Sequence, residues 1–264
     1  IYQDLFARLQ QHEQRLFVRP FDWIDPSPET DGKTGFVMEC GLDNIRGFVW
    51  KNGAYKGDKL RYSMENVIRI LHALHKLGLV WTELKAENFI VFGNGEIKAI
   101  DLESMAAHRG AIRMYTAETY PPEFPADKLY EGLPDTPVDY SYDLWGLGLT
   151  LFEMATGEPL FTLKKTYDVE YIKARLKDPK GVIAEAYAKL ADVNEGARNV
   201  ILQCLTTDPN LRRSCEDLLR DPYFTTGRRQ PSPPTLHAGI PSMAQGSPSV
   251  DTTPHKVLIG NLER

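Results

Sequence analysis

The sequence has few cysteines and no excess of basic residues. Its 264 residues include three cysteines, Cys40, Cys204 and Cys215, and none of them forms a C-x-x-C spacing. This usage excludes a disulfide-rich scaffold and a cysteine-based zinc site, and it predicts an intracellular, cytoplasmic protein in which Cys40 is a small buried residue. The formal net charge of −5 and the pI near 5.7 argue against a nucleic-acid-binding protein.

Long apolar runs are also absent. The longest such stretch, around residues 144–155, is interrupted by Gly146, Gly148 and Glu153, so no membrane span is expected. Hydrophobic residues make up 42% of the chain and charged residues 25%, which is typical of a globular protein with a sizeable core. Residues 225–264 are rich in Pro and Ser, and they are predicted to be a disordered tail because they bury too little apolar surface.

The spacing of apolar residues predicts an α+β fold, with a small mixed part followed by a mainly helical part. A helix is expected over residues 3–16, followed by a hairpin with strands at 16–24 and 35–40. Ser63 is expected to cap a helix that ends at Gly78. A second hairpin is expected at residues 89–92 and 97–100. Further helices are expected over roughly residues 142–155, 167–176, 182–190, 195–205 and 214–220.

The stretch from Glu83 to Asp101 contains side chains suited to phosphoryl transfer. Lys85 and Asn88 follow Glu83 closely, and Asp101 comes directly after the second hairpin. Asn88 and Asp101 therefore lie at the open end of that hairpin, and oxygen ligands of this kind are preferred by magnesium. The Glu83 carboxylate is suited to accepting a hydroxyl proton, and Lys85 to neutralising charge on the transferred group.

These residues resemble two motifs of the eukaryotic protein kinase family. Residues 81–88, W-T-E-L-K-A-E-N, are similar to the catalytic loop H-R-D-L-K-x-x-N, and residues 101–103, D-L-E, are similar to the D-F-G metal motif. Three later stretches resemble the A-P-E motif, the start of the central helix and the D-P-x-x-R segment: residues 121–123, 143–148 and 208–212. The resemblance covers about residues 1–224.

The resemblance implies a protein-kinase-like bilobal fold and the activity of an ATP-dependent serine/threonine kinase with a protein substrate. Residues 1–41 would be the remnant of a truncated small β lobe with the hinge, and residues 42–224 a complete large lobe. ATP and magnesium would bind, with Asn88 and Asp101 holding the metal and the nucleotide. Glu83 and Lys85 would be the catalytic residues, and Lys85 with Thr116 indicates the serine/threonine class.

The resemblance also implies a nucleotide site and two structural ties. The adenine and ribose would be met by residues of the hinge and the second hairpin: Met38 as gatekeeper, the backbones of Glu39 and Gly41, Asp43 or Asn44, Ile90 and Ile100. Glu123 and Arg212 would form a buried ion pair. Asp143 would bind back to the catalytic loop.

The catalytic loop departs from the family pattern at adjacent positions. Trp81 and Thr82 replace the His and Arg of H-R-D, which removes the usual partner of a phosphorylated activation segment. Trp81 is expected to be a packing residue. Glu83 replaces the catalytic Asp, and its extra methylene moves the carboxylate by roughly 1 Å, which can slow transfer by ~10²-fold. Glu103 replaces the Gly of D-F-G, which adds a negative charge and gives up a permissive backbone position.

Neither a G-x-G-x-x-G loop nor the strand lysine of the family occurs in these residues, and the sequence opens on Ile1 inside an expected helix. We therefore expect a partial sequence, with Asp4 as the candidate acidic partner of that lysine.

Two functions remain open. Lys85, Asn88 and Asp101 favour a kinase of low activity, whereas the departures at residues 81–83 and 103 favour a pseudokinase that binds nucleotide or partner proteins. A small-molecule kinase of the same fold fits the A-P-E-like segment less well.

Overall fold

The computed structural model describes residues 2–27, 32–33, 35–112, 114–128, 137–161 and 169–226. They divide into two compact units, one formed by residues 2–18 and 41–226 and the other by residues 19–40. Residues 2–18 thus share a unit with the helical part of the chain, whereas the sequence grouped them with a small lobe over 1–41. The predicted tail lies outside the described residues from position 227 onward.

The larger unit is mainly helical and has one main hydrophobic core. Its first helices are α1 (Tyr2–Arg8) and α2 (Gln11–Gln14). The later helices follow in chain order: α3 (Ile45–Asn52), α4 (Gly57–Lys76), α5 (Tyr140–Thr156), α6 (Val169–Lys177), α7 (Pro179–Lys189), α8 (Glu195–Cys204), α9 (Cys215–Leu219) and α10 (Pro222–Thr225). Within the described ranges, no helix combines the length and the apolar character needed to cross a membrane.

Short antiparallel strands complete the two units. In the smaller unit, β1 (Pro20–Ile24) pairs with β2 (Gly35–Met38). In the larger unit, β3 (Asp43–Asn44), β5 (Phe89–Val91) and β6 (Ile97–Ala99) form one sheet. A second sheet pairs β4 (Leu79–Trp81) with β7 (Met105–Ala107). Small sheets beside a helical region confirm the predicted α+β fold class.

Helix α5 lies at the centre of the larger unit and supports the loop that follows β4. Nearly all its residues are buried, as expected for a helix that is apolar on every side. A Cβ added to Gly146 would lie 2.8 Å from the carbonyl oxygen of Leu84, so only glycine allows the helix to approach this loop so closely. The position of the loop is therefore set by backbone contact with a buried helix.

Two predicted helices differ from the structure. The helix expected over residues 3–16 is divided into α1 and α2, because Gln10 adopts an extended backbone with φ −65° and ψ 151°. The N-cap prediction at Ser63 is wrong, since α4 begins at Gly57 and Ser63 is buried inside it. Leu60, which precedes Ser63, also belongs to the buried face, so packing extends the helix toward its N-terminus.

One helix and one cysteine were also misjudged from the sequence. Helix α3 was not predicted, because only Ile45 and Val49 are buried on its core-facing side. Its start is fixed by Asn44, whose side chain accepts a hydrogen bond from the backbone N–H of Gly47 at 2.8 Å. Cys40 is exposed rather than buried, since it lies in the irregular segment between β2 and β3.

Candidate functional site

The candidate site lies in the loop between β4 and β5 and at the open end of the β5–β6 hairpin. A 3₁₀ turn at Ala86–Asn88 leads directly into β5, where Phe89 pairs with Ala99. Beyond the last pair, the N–H of Ile100 donates to the carbonyl oxygen of Asn88 at 2.9 Å. The backbone therefore places Asn88 and residue 101 at the same end of the hairpin.

Glu83 and Lys85 are joined through the hydroxyl of Thr116. Thr116 Oγ1 donates to Glu83 Oε1 at 3.0 Å, and Lys85 Nζ donates to Thr116 Oγ1 at 3.0 Å. Lys85 Nζ also lies 3.8 Å from Glu83 Oε1. The carboxylate is partly buried and has a cation and a hydroxyl beside it, an arrangement able to hold a second hydroxyl group next to a proton acceptor.

Trp81 occupies the position of the family's histidine and is fully buried, with 0% exposure. Its ring packs edge-on against Phe89 at a centroid distance of 5.3 Å, and its indole Nε1 donates to the backbone carbonyl of Asp101 at 3.0 Å. The prediction of a packing role is confirmed. The hydrogen bond adds a second role, because it holds the backbone of Asp101.

Thr82 occupies the position of the family's arginine and is also 0% exposed. Its Oγ1 lies 3.0 Å from the carbonyl oxygen of Ser104 and 2.5 Å from that of Met114. A hydroxyl has one proton to donate, so the two carbonyls share it. This short side chain therefore contacts two separated points of the segment that follows β6.

The side chains of Asn88 and Asp101 fit a hard cation by their chemistry. Asn88 is 4% exposed, and its Nδ2 donates to the Glu83 carbonyl at 2.9 Å, which fixes the amide plane without using its oxygen. Asp101 is exposed and supplies a carboxylate at the same end of the hairpin. Oxygen donors of these two kinds are the ligands that magnesium prefers. Among the described residues, no cluster of three or more His, Cys, Asp or Glu side chains is placed to hold a metal.

The backbone at Asp101, rather than at Glu103, has the unusual conformation. Asp101 has a φ of +58°, and among the described non-glycine residues only Asp101 and Arg109 have positive φ. Aspartate tolerates the left-handed region better than most residues. The loss of glycine at position 103 therefore introduces no backbone strain in this conformation, although the added charge remains.

The residues predicted to meet the nucleotide are spread over both units. In the smaller unit, Met38 ends β2, and Glu39 accepts the N–H of Arg19 on Oε1 at 2.7 Å. In the larger unit, a Cβ on Gly41 would overlap Ile90 Cγ2 and lie 2.9 Å from the Val91 carbonyl oxygen. Glycine is thus required at position 41 for the chain to pass over β5.

Four other sequence-predicted residues make local contacts. Asp43 Oδ2 accepts a hydrogen bond from Lys51 Nζ at 2.6 Å, and Asn44 caps α3, so both ribose candidates have structural partners. Asp4 is exposed and lies 3.9 Å from Arg8 one helical turn away. Ile100 is half-buried beside Asn88.

Both structural ties implied by the resemblance are present. Arg212 donates from Nη1 and Nη2 to the two carboxylate oxygens of Glu123 at 2.7 and 2.6 Å, and its side chain is 0% exposed. Asp143 Oδ2 accepts the backbone N–H of Trp81 at 2.6 Å and lies 2.9 Å from His75 Nε2. Burial raises the pKa of Asp143, although the hydrogen bond from His75 opposes this.

Sequence reasoning missed an acidic cluster around Arg46 of α3. The guanidinium binds Glu153 through Nε at 2.8 Å and Nη2 at 3.0 Å, and it also contacts Glu87 and Glu118. Burial would lower the pKa of Arg46, but the hydrogen bond and charge of Glu153, with the other two carboxylates, raise it above its usual value. No local pattern links these four residues, because they come from distant parts of the chain.

A small, partly open pocket lies beside this cluster and is lined in part by Lys85. Its lining includes Glu118, Thr150 and Glu153 as well as Arg46. The hydroxyl of Thr150 is buried and has no hydrogen-bond partner. The pocket beside the candidate catalytic lysine thus contains side chains of both charges, Arg46 and Lys85 with Glu118 and Glu153.

Comparison with known proteins agrees with the motifs. A family model described as "Protein kinase domain" matches residues 20–224. The chain is 27% identical over 216 residues to the serine/threonine-protein kinase pim-2 of Danio rerio, covering 80% of this chain and 62% of that protein. It is 26% identical to the serine/threonine-protein kinase KIC1 of Saccharomyces cerevisiae, covering 76% and 18%, and 27% identical to the dual specificity protein kinase Ttk of Danio rerio, covering 85% and 22%. The chain thus spans less than two thirds of each of these relatives.

Proposed function

Because this chain belongs to the protein kinase domain family, we propose that it transfers the γ-phosphoryl group of magnesium-bound ATP to a hydroxyl of a protein, at a low rate. The observation that carries this proposal is the contact of Glu83 and Lys85 with one hydroxyl, that of Thr116. Phosphoryl transfer to serine or threonine requires a proton acceptor and a cation next to the substrate hydroxyl.

Each catalytic side chain has one role in the proposed reaction. ATP would be the phosphoryl donor, and a magnesium ion held by Asn88 and Asp101 would neutralise charge on the phosphate oxygens. Glu83 Oε1 accepts the proton of the substrate hydroxyl as that oxygen bonds to the γ-phosphorus. Lys85 Nζ donates to an oxygen of the transferred group, while the bond to ADP breaks and its electron pair leaves with ADP. Asn88 and Asp101 would hold the metal.

The nucleotide contacts are proposed on the family resemblance. Met38 would border the adenine, with the backbones of Glu39 and Gly41 meeting its edge. Ile90 would lie beneath the base. The low rate is attributed to Glu83, since its additional methylene displaces the carboxylate by roughly 1 Å relative to an aspartate.

The alternative function is that of a pseudokinase that binds nucleotide or a partner protein without turnover. The side chains of Trp81 and Thr82 favour it, because both are fully buried and engaged in hydrogen bonds within the fold. Those contacts maintain the fold whether or not phosphoryl transfer occurs.

Phosphate transfer from labelled ATP with magnesium to a generic protein substrate separates the two functions. The full-length natural chain would be compared with Asp101→Asn and Glu83→Asp. We expect transfer by the parent, loss with Asp101→Asn, and a rise of up to ~10²-fold with Glu83→Asp, since aspartate restores the carboxylate position. Analysis of the phosphorylated residue in the product tests the serine/threonine class.

Nucleotide binding provides the control for an inactive result. If neither the parent nor Glu83→Asp exceeds the Asp101→Asn background, the kinase proposal fails. A rise in melting temperature with ATP and magnesium in the same preparation would then support a nucleotide-binding pseudokinase. If the melting temperature does not rise, the remaining candidate function is a pseudokinase that binds partner proteins.

A further inference from the structure

Three consecutive residues hold the segment that follows β6 at successive points. Trp81 Nε1 donates to the carbonyl oxygen of Asp101, and Thr82 Oγ1 contacts the carbonyl oxygens of Ser104 and Met114. Glu83 Oε1 accepts from Thr116. We call residues 81–83 the tether and residues 101–116 the tethered segment.

Thr82 lies at the centre of the tether. The two carbonyls that it contacts lie ten positions apart in the chain, at Ser104 and Met114. Thr116 follows Met114 by two residues and binds both Glu83 and Lys85. The contact at Met114 therefore lies two residues from the point where the Thr116 hydroxyl meets these two side chains.

The contacts of Thr82 involve no formal charge. Thr82 is fully buried, and its contact with the Ser104 carbonyl is buried, whereas the contact with Met114 is partly buried. A buried carbonyl left without a donor costs free energy because water cannot replace the lost partner. An uncharged contact of this kind needs no phosphate group and is insensitive to salt.

We propose that Thr82 is a positioning residue, whose hydroxyl holds the backbone at Ser104 and Met114 in place without phosphorylation of the tethered segment. The proposal concerns the order of the segment and goes beyond the proposed function. Its test reads backbone exchange, so an inactive protein with an ordered segment would refute the kinase proposal and leave this one standing.

Amide hydrogen exchange of the unphosphorylated full chain tests the proposal through Thr82→Val, which keeps the shape and removes the hydroxyl. We expect exchange within residues 104–116 to become roughly tenfold faster, with little change in the central helix α5. Thr82→Ser retains the hydroxyl and is expected to restore slow exchange. The proposal is overturned if Thr82→Val leaves exchange in residues 104–116 unchanged, or if Thr82→Ser fails to restore it.

Ser104→Ala is the matched control. The Ser104 side-chain hydroxyl is buried with no hydrogen-bond partner, while its backbone carbonyl contacts Thr82. Removing that hydroxyl leaves the Thr82 contacts in place, so exchange within residues 104–116 is expected to stay slow. If residues 104–116 exchange as fast in Ser104→Ala as in Thr82→Val, the proposal is overturned, because local packing would then explain the faster exchange.

A measurement on the parent protein covers the case in which Thr82→Val does not fold. Exchange of residues 104–116 in the phosphatase-treated chain is expected to be slow. Fast exchange after phosphatase treatment would show that a phosphate group holds the segment and would refute the proposal.

Discussion

Two regions of the larger unit hold the same stretch of chain by different chemistry. At one end, Arg212 binds Glu123 by a buried pair of charged hydrogen bonds. At the other, the tether at residues 81–83 uses an indole N–H, the Thr82 hydroxyl on two carbonyls, and the Glu83 carboxylate, which accepts from Thr116. The first region retains the residues of the family pattern, and the second departs from it.

The difference teaches that a changed motif can hold the neighbouring segment through other groups. Trp81 replaces a histidine and Thr82 an arginine, yet both side chains still bind the segment that follows the hairpin. The ion pair depends on two matched charges that are costly to separate once buried. Trp81 and Thr82 of the tether instead make neutral hydrogen bonds, each of modest net value.

The largest effect is expected for Arg212→Ala. This change leaves Glu123 without its partner and removes donors to the carbonyls of Thr206 and Ser141, so unfolding should become easier by about 3–5 kcal/mol. Urea-induced unfolding measures it. Arg213→Ala is the neighbouring control, and it should cost less than about 1 kcal/mol because the Arg213 side chain is 39% exposed. Similar losses for both variants would contradict the importance of the buried pair.

A smaller effect is expected when the tether loses its indole donor. Trp81→Phe removes the hydrogen bond to the Asp101 carbonyl, whereas Trp145→Phe removes a buried N–H that has no partner. Because both rings are almost fully buried, the variants should differ mainly by one hydrogen bond, with Trp81→Phe less stable by about 1–2 kcal/mol. Thermal unfolding of the two variants gives the difference. Equal stability would mean that the Trp81 contact contributes nothing.

The smallest effect is expected for a hydroxyl with no partner, in contrast to that of Thr82. The Tyr55 hydroxyl is buried without a hydrogen bond, so Tyr55→Phe should leave stability at neutral pH unchanged or raise it by up to about 1 kcal/mol. A clear loss in urea-induced unfolding would indicate that the hydroxyl has a partner in solution.

The Tyr55→Phe variant should also change how the stability of the protein depends on pH. Burial raises the pKa of Tyr55 to about 12. The neutral phenol is thus favoured in the folded protein, whereas the unfolded chain ionises near its ordinary pKa of about 10. Stability contributed by Tyr55 should be lost as the pH rises from about 10 toward 12. Melting temperatures over this range should fall less steeply for Tyr55→Phe than for the parent, and parallel profiles would contradict the assignment.

Much of the fold followed from local pattern, and the failures have physical reasons. The second hairpin and the later helices were predicted within a few residues, since apolar periodicity and turn residues are local signals. The start of α4 was missed because packing of Leu60 outweighed the capping preference of Ser63. Helix α3 was missed because few of its side chains face the core.

Part of the candidate site could also be predicted from the sequence, and part could not. The positions of Glu83, Lys85, Asn88 and Asp101 in one loop and hairpin were readable from motif spacing. The Arg46 cluster was not, because its carboxylates come from α5 and from two 3₁₀ turns, Ala86–Asn88 and Ala117–Thr119. The hydrogen-bonding roles of Trp81 and Thr82 were hidden too, since side-chain type alone does not indicate a distant carbonyl partner.

The sequence by itself determined the fold class, the family and the oxygen, amine and carboxylate groups available for chemistry, because these follow from residue type and spacing along the chain. Tertiary structure alone decided that Thr116 meets Glu83 and Lys85, and that residues 81–83 bind successive points of the tethered segment. Those contacts join residues far apart in sequence. Only the packing of α5 and the sheets against the catalytic loop brings their atoms within hydrogen-bond distance.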